Sequence, residues 1–303
     1  VYNRFFQFVI LLSWIGSMSW LMATKVLPAL IVGDPPTYEQ IVEAQRHDNL
    51  VAWKLRFDNE PIGTAITHTH PASTDMTQVD HVIHFDDFPG DKMFPTLWKL
   101  LLGPAASRPR FRLDLRSTVY FDALKRLSSF ETKLYLPPQE ESLFSIRGSI
   151  EKDILSLYFT SPGFRYDTEL PLSRRSLLTD QFAPQTQLPG LKKGQAWTIE
   201  VYSPFSVAQH VEGTRPLEIL HAEVVGQDFI RWEGRPIRAW VVEYTDDPGR
   251  RVDGEHHVRG RVWVAPEGTI LRQEAQLGAG KLTLIRMDRA RTLELARREG
   301  MLE

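Results

Sequence analysis

Residues 51–57 read VAWKLRF, and the order of these letters decides the fold. Val51, Trp53, Leu55 and Phe57 alternate with Ala52, Lys54 and Arg56. Successive side chains of an extended chain point to opposite faces, so a period of two gathers the large apolar residues on one side. That pattern is a strand with one buried face. A helix would scatter the same residues around its circumference.

The rhythm continues downstream. After a turn at 59–63, strands are expected over 62–70, 79–85, 111–121, 130–136, 142–150 and 154–160. Between 163 and 194 turn residues accumulate without a sustained period, which reads as a crossing between two lobes, 33–162 and 195–303. Strands resume over 196–202, 217–225, 229–233 and 237–245. A hairpin over 261–265 and 269–276 turns at Pro266, Glu267 and Gly268, and 282–286 closes the set. Helices are few and peripheral. Thr37 to Gln40 has the form of a capping box for a short helix. Phe94, Leu97, Trp98, Leu101 and Leu102 recur at helical spacing, as in a short helix or lid over 93–102. Asp288 can cap a terminal helix that ends at Gly300. The expected class is mainly β: a curved antiparallel sheet, half-barrel or barrel-like, behind an N-terminal transmembrane helix. A parallel sheet would need helical crossovers between its strands, and the sequence offers none.

Residues 5–24 carry no charge between Arg4 and Lys25. About 20 helical residues at about 1.5 Å each span the roughly 30 Å of a hydrocarbon core. The run exceeds the roughly 7–15 apolar residues of a cleaved signal, and Leu21 stands where a cleavage site wants a small residue. Residues 1–32 are therefore expected to anchor an exported body, 33–303, with the bilayer met through 5–24. Arg4 ahead of the span leans toward a cytoplasmic N-terminus and a periplasmic body at a bacterial inner membrane. Ser13, Gly16, Ser17 and Trp20 fall on one helical face, suited to a membrane-protein partner or self-association.

Composition removes several functions. With 36 Lys and Arg against 38 Asp and Glu in 303 residues, the chain has no field for nucleic acid. No cysteine means no disulfide, thiolate nucleophile or thiolate zinc site. A nucleophile elbow, a zinc-protease helix and the phosphate-binding glycine loops are all missing, and no cofactor is expected.

Two side-chain groups remain as site candidates. If 62–70 and 79–85 pair as a hairpin, His68 lies opposite His81 with His70 nearer the loop. His68 and His70 would share a face with Ile62 and Ile66. Three imidazoles, with Asp75 or Asp80, would suit zinc and a metal-assisted hydrolase. His256 and His257 are adjacent and point apart, which fits a solvated loop. Six tryptophans lie outside the anchor, and Trp53, Trp98, Trp232 and Trp263 are candidates to line a ligand pocket for an acyl chain. Arg286, Arg289, Arg291, Arg297 and Arg298 cluster at the terminal helix, ready for anionic headgroups, a partner or nearby acids.

Leu188 to Leu191 followed by Gly194 to Trp197, then Gly226, Trp232 to Gly234, and the run VWVAPEGTILRQE at 262–274, resemble the second half of exported bacterial β-rich domains of unknown function. Those domains look like the curved sheet of the periplasmic lipoprotein carriers, a half-barrel wrapped over helices. The resemblance covers mainly the last third of the chain. It implies a fold and a compartment and brings no catalytic residue with it. The function expected is a membrane-anchored envelope protein with a non-catalytic binding or scaffolding domain, in isolation or as a subunit of a membrane complex. A lipid or lipoprotein acyl-chain carrier and the metal-assisted hydrolase are the alternatives.

Overall fold

The alternation in residues 51–57 becomes β1 (Leu50–Phe57), with Val51, Trp53, Leu55 and Phe57 buried and Lys54 and Arg56 exposed. The computed structural model describes residues 2–22, 36–73, 75–93, 111–171, 177–180, 184–202, 217–246 and 257–302. From β1 the chain meanders outward through β2 (Glu60–Pro71), β3 (Thr77–Phe88), β4 (Phe111–Phe121), β5 (Leu127–Tyr135), β6 (Ser142–Glu151), β7 (Ile154–Ser161) and β8 (Phe164–Pro171). It then restarts at the opposite edge with β9 (Leu177–Asp180). The return runs through β10 (Ala196–Tyr202), β11 (Leu217–Trp232), β12 (Arg235–Asp246), β13 (Val258–Val264), β14 (Ile270–Leu277) and β15 (Gly280–Arg286). β15 pairs antiparallel with β1, so both runs of strands form one 15-stranded sheet. Among the described strands the β9–β10 pair alone is parallel.

Chain length forces this sheet to curl. Laid flat at about 4.8 Å per strand, its edges would stand roughly 67 Å apart. Yet Pro171 ends one edge strand and Leu177 begins the other. At about 3.3–3.6 Å per residue, that connection reaches only about 20 Å. The two edges must approach one another, and the result is barrel-like.

The sheet has a core face and a back face. The core face carries the main apolar cluster, which draws on both runs: Trp53, Leu115, Phe144 and Leu157 from one, Ile199, Val224, Val242 and Leu284 from the other. α1 (Tyr2–Leu21) packs nothing into it; the described side chains of α1 are exposed. α2 (Tyr38–His47) has the expected capping box, with Gln40 N–H donating to Thr37 Oγ1 and Thr37 N–H to Gln40 Oε1. It sets Val42 against Val79 and Phe121. A single turn, α3 (Gly90–Met93), follows β3. α4 (Arg289–Arg298) lies on the back face, where Leu295 and Ala296 cover Ala52 and Ile66.

The expectations for the crossing, for the two strands over 217–233 and for a shared face of Ile62 and Ile66 need correction. β8 and β9 occupy residues assigned to a crossing, because edge strands with solvent along one side lack a strong apolar alternation. Strands 217–225 and 229–233 are one long strand, β11, interrupted by a register shift between Val224 and Gly226. A second shift falls where Leu55 faces Gly63 and Arg56 faces Pro61. At Gly63 a Cβ would stand 1.9 Å from the His84 carbonyl oxygen, so no larger residue fits there. This bulge reverses the parity of β2: Ile62 joins the core face while Ile66 joins the back face.

Candidate functional site

One rim of the sheet gathers the start of β1, the ends of β2 and β15, the C-terminal end of α2 and the N-terminal end of α4. A cleft of about 490 Å³ opens there, with Asp48, His68, Trp232, Glu267, Arg286 and Leu302 in its lining. Polar and apolar groups share its walls, which suits a ligand with both characters.

Arg286 organises the cleft. The β15 sequence places Leu282, Leu284 and Arg286 in the same phase, so a guanidinium occupies an inward apolar position. Burial pulls its pKa down, and the Asp48 carboxylate opposes that shift. Arg286 Nη2 donates to Asp48 Oδ2, and Nη1 donates to the Thr186 and Ile270 carbonyls at 3.2 and 3.3 Å. Its guanidinium also lies 5.8 Å from the centre of the Trp53 ring. Asp48 additionally accepts from Gln187 Nε2 at 3.3 Å. The pair therefore ties the end of α2 to the last strand, and it holds the Asp48 carboxylate in a fixed role.

The far wall comes from the β11–β12 ribbon. Glu233 and Gly234 both have positive φ, 48° and 76°, as a tight two-residue hairpin turn requires. β10 accompanies β11 only as far as Glu223, and β13 accompanies β12 only from Trp240, opposite Val264, onward. Residues 226–239 thus extend beyond their neighbours as a two-stranded ribbon. It leans over the rim, and Trp232 Nε1 donates to the Arg286 carbonyl at 3.2 Å.

The histidines do not converge. His68 faces Asp80 and Thr67 faces His81, one residue away from the expected register. With adjacent positions alternating, His68 and His70 lie on the back face and His81 on the core face. Among the described residues no group of three or more His, Asp or Glu side chains could hold a metal ion. The three imidazoles expected to share a zinc ion are therefore not brought together. His70 Nε2 instead meets Asp80 Oδ2 at 2.7 Å. Burial raises the Asp80 pKa, but hydrogen bonds from Gln78, His70 and Thr118 outweigh it and hold the carboxyl below its usual range. Burial, then the neighbouring His70, lowers the pKa of His68. His81 is buried beside Thr67 Oγ1 at 2.9 Å, and burial lowers its pKa to about 4.

The tryptophans divide as well. Trp53 is fully buried in the main core, and Trp232 lines the cleft. Trp263 packs on the back face with Ala239 and Val241, its ring beneath Arg272 at 5.1 Å. The sheet lies between Trp53 and Trp263, so they cannot line one pocket. Trp98 and His256 lie outside the described residues. Ser13, Gly16, Ser17 and Trp20 are all exposed along α1.

Two ionic contacts escaped the sequence reading. Asp48 and Arg286 are 238 positions apart, yet a charge in the apolar phase of residues 282–286 is a legible sign that a partner is needed. His84 sits between Asp114 at 2.8 Å and Glu299 at 2.7 Å, which fastens the end of α4 to the back face. Nothing local in the sequence marks that contact.

No protein-family model matches the chain, and no curated protein matches it. Among solved structures it is similar to a β-barrel-like protein of a domain of unknown function from Brucella abortus. That likeness has 12% identity and a TM-score of 0.43, over 79% of this chain and 95% of that one. It is similar to LprF from Mycobacterium bovis, with 11% identity and a TM-score of 0.25, over 84% of this chain and 94% of that one. The hypothetical lipoprotein YmcC from Escherichia coli gives 12% identity and a TM-score of 0.27, over 84% and 98%. At these scores the likenesses carry no argument about ligand or activity, and the architecture rests on the strand pairing itself.

Proposed function

We propose that this chain is a single-pass, membrane-tethered envelope protein whose β body binds or scaffolds a partner without transforming it. The observation that carries the reading is α1. Its window Arg4–Leu21 has a mean hydropathy of 1.2, and none of it is buried. A core helix hides its apolar stripe; this one exposes Phe5, Leu11, Ile15 and Trp20 all round. Leaving such a surface in water costs about 25 cal/mol per Å², so lipid is its natural solvent. In this reading residues 1–32 anchor the chain, the N-terminus is cytoplasmic and residues 33–303 stand in the periplasm. Ser13, Gly16, Ser17 and Trp20 then offer a close-packing face to another membrane helix, in a larger complex or in a second copy.

Binding rather than catalysis is supported by the cleft. Asp48 is committed to Arg286 and Gln187, and Asp80, beside His68, already accepts from Gln78, His70 and Thr118. A second reading, an acyl-chain carrier, is favoured by the breadth of the sheet. Eight strands already enclose a space that side chains just fill, and a curled sheet of 15 strands is wider.

Cell fractionation of the full chain, beside a version lacking residues 2–22, tests placement. The full chain is expected in the membrane pellet and the shortened one out of it; a full chain wholly in the soluble cytosol contradicts the proposal. Native mass spectrometry from mild detergent separates the two readings. Bound lipid supports the carrier, and a ligand-free body supports the scaffold.

A further inference from the structure

The β11–β12 ribbon has two faces with different work. Trp232 and Ile230 turn toward the cleft and the back-face cluster. The opposite face carries Phe229 directly across from Arg238, with Arg231 across from Pro236. Phe229 is 69% exposed, more than any other large apolar side chain described outside α1, and Arg231, Pro236 and Arg238 are exposed around it. Asp228 alternates onto the face of Ile230 and Trp232, and Glu233 sits in the turn. An aromatic ring between two guanidiniums is therefore held out into solvent, on a ribbon that projects beyond the sheet.

The rim on which this ribbon stands is also where the membrane tether joins the body. α2 packs there, with Arg46 Nη2 donating to Thr77 Oγ1 at the start of β3 and Val42 against Phe121 at the end of β4. Thr37, which caps α2, follows the end of α1 at Leu21 by a stretch that spans at most about 55 Å when fully extended. Leu124 and Ile154, 64% and 43% exposed, occur in and beside the β4–β5 and β6–β7 turns of the same rim. Apolar tips, exposed arginines and the tether all lie at one end of the sheet.

We propose that this ribbon face, Phe229 flanked by Arg231 and Arg238, docks on the anionic surface of the bilayer that α1 spans. The inference rests on the tethered reading above. Arginines gain from an anionic leaflet only within about a Debye length, roughly 8–10 Å, so they must sit at the headgroups. Phe229 supplies apolar area at that depth. Each contact is weak, but a short tether holds the rim at a high effective concentration near the lipid. Docking would turn the cleft, walled by the other face of the same ribbon, toward the membrane surface.

The test is hydrogen exchange across residues 227–238 of the full chain in nanodiscs. One set is phosphatidylcholine alone, and the other is an equimolar mixture with phosphatidylglycerol. Exchange roughly tenfold slower in the anionic discs is expected. That difference should vanish in the exposed-site variants Arg231→Glu with Arg238→Glu, shrink in Phe229→Ala, and disappear at high salt. A chain that enters the discs but exchanges equally in both lipids overturns the docking alone. A chain that does not enter the discs at all overturns the tethered reading and the docking with it.

Discussion

α1 and α4 are helices of one chain that solve opposite problems. α4 is amphipathic: Thr292, Leu295 and Ala296 are buried against the sheet, while Arg291, Glu294, Arg297 and Arg298 face water. α1 has no buried side, and its apolar residues are exposed all round. Burial in protein stabilises the first. Only a change of solvent can accommodate the second. The body is accordingly expected to owe its stability to contacts in which α1 has no share.

The largest test breaks an internal ion pair of the body. Asp48→Ala leaves Arg286 buried without its carboxylate, at a cost of about 3 kcal/mol, the lower end for such pairs because Asp48 is partly open to water. Urea unfolding of the full chain in detergent reads it; an unchanged midpoint refutes the hub assigned to Arg286.

A comparable effect is expected from pH. His81 is neutral in the fold with a pKa of about 4, against about 6.5 when unfolded. Below about 6.5 the unfolded chain takes up a proton that the folded chain refuses. The contribution is complete above that pH and is lost as pH falls toward 4, by about 3 kcal/mol in all. His81→Gln, which can still bond Thr67, should flatten this part of the pH profile. A profile identical to that of the unsubstituted chain shows that other groups produce it.

The direct contrast comes next. Leu295→Ala in α4 is expected to cost the body about 2–3 kcal/mol, and Leu11→Ala in α1 nothing measurable. Equal losses would mean that α1 packs on the body after all. Smallest is the cap: Asp288 Oδ1 accepts from Arg291 N–H at 2.9 Å, so Asp288→Ala should lower stability by about 1 kcal/mol, seen as a small shift in thermal midpoint.

Much of the architecture was legible because it is local. The alternation at β1, the capping box at Thr37 and the cap at Asp288 each lie within a few neighbouring residues, and all three appear as read. The histidine site was illegible for the complementary reason. Whether His68 meets His81 depends on pairing register, and a shift of one residue puts the rings on opposite faces, while the bulge at Gly63 parts His68 from Ile62. β8 was missed because an edge strand need not alternate. The cleft draws on residues from both ends of the body, joined only where β15 meets β1, so Asp48 and Arg286 carried hints of need but none of each other.

The most direct measurement places α1 in its solvent. Trp14 and Trp20 are the only tryptophans on α1, and both are exposed. In vesicles whose acyl chains carry bromine, the full chain should lose their fluorescence by contact quenching, and Trp14→Phe with Trp20→Phe should abolish that loss. Emission equally bright in brominated and ordinary lipid, with the chain present in the vesicle fraction, would put α1 outside the hydrocarbon.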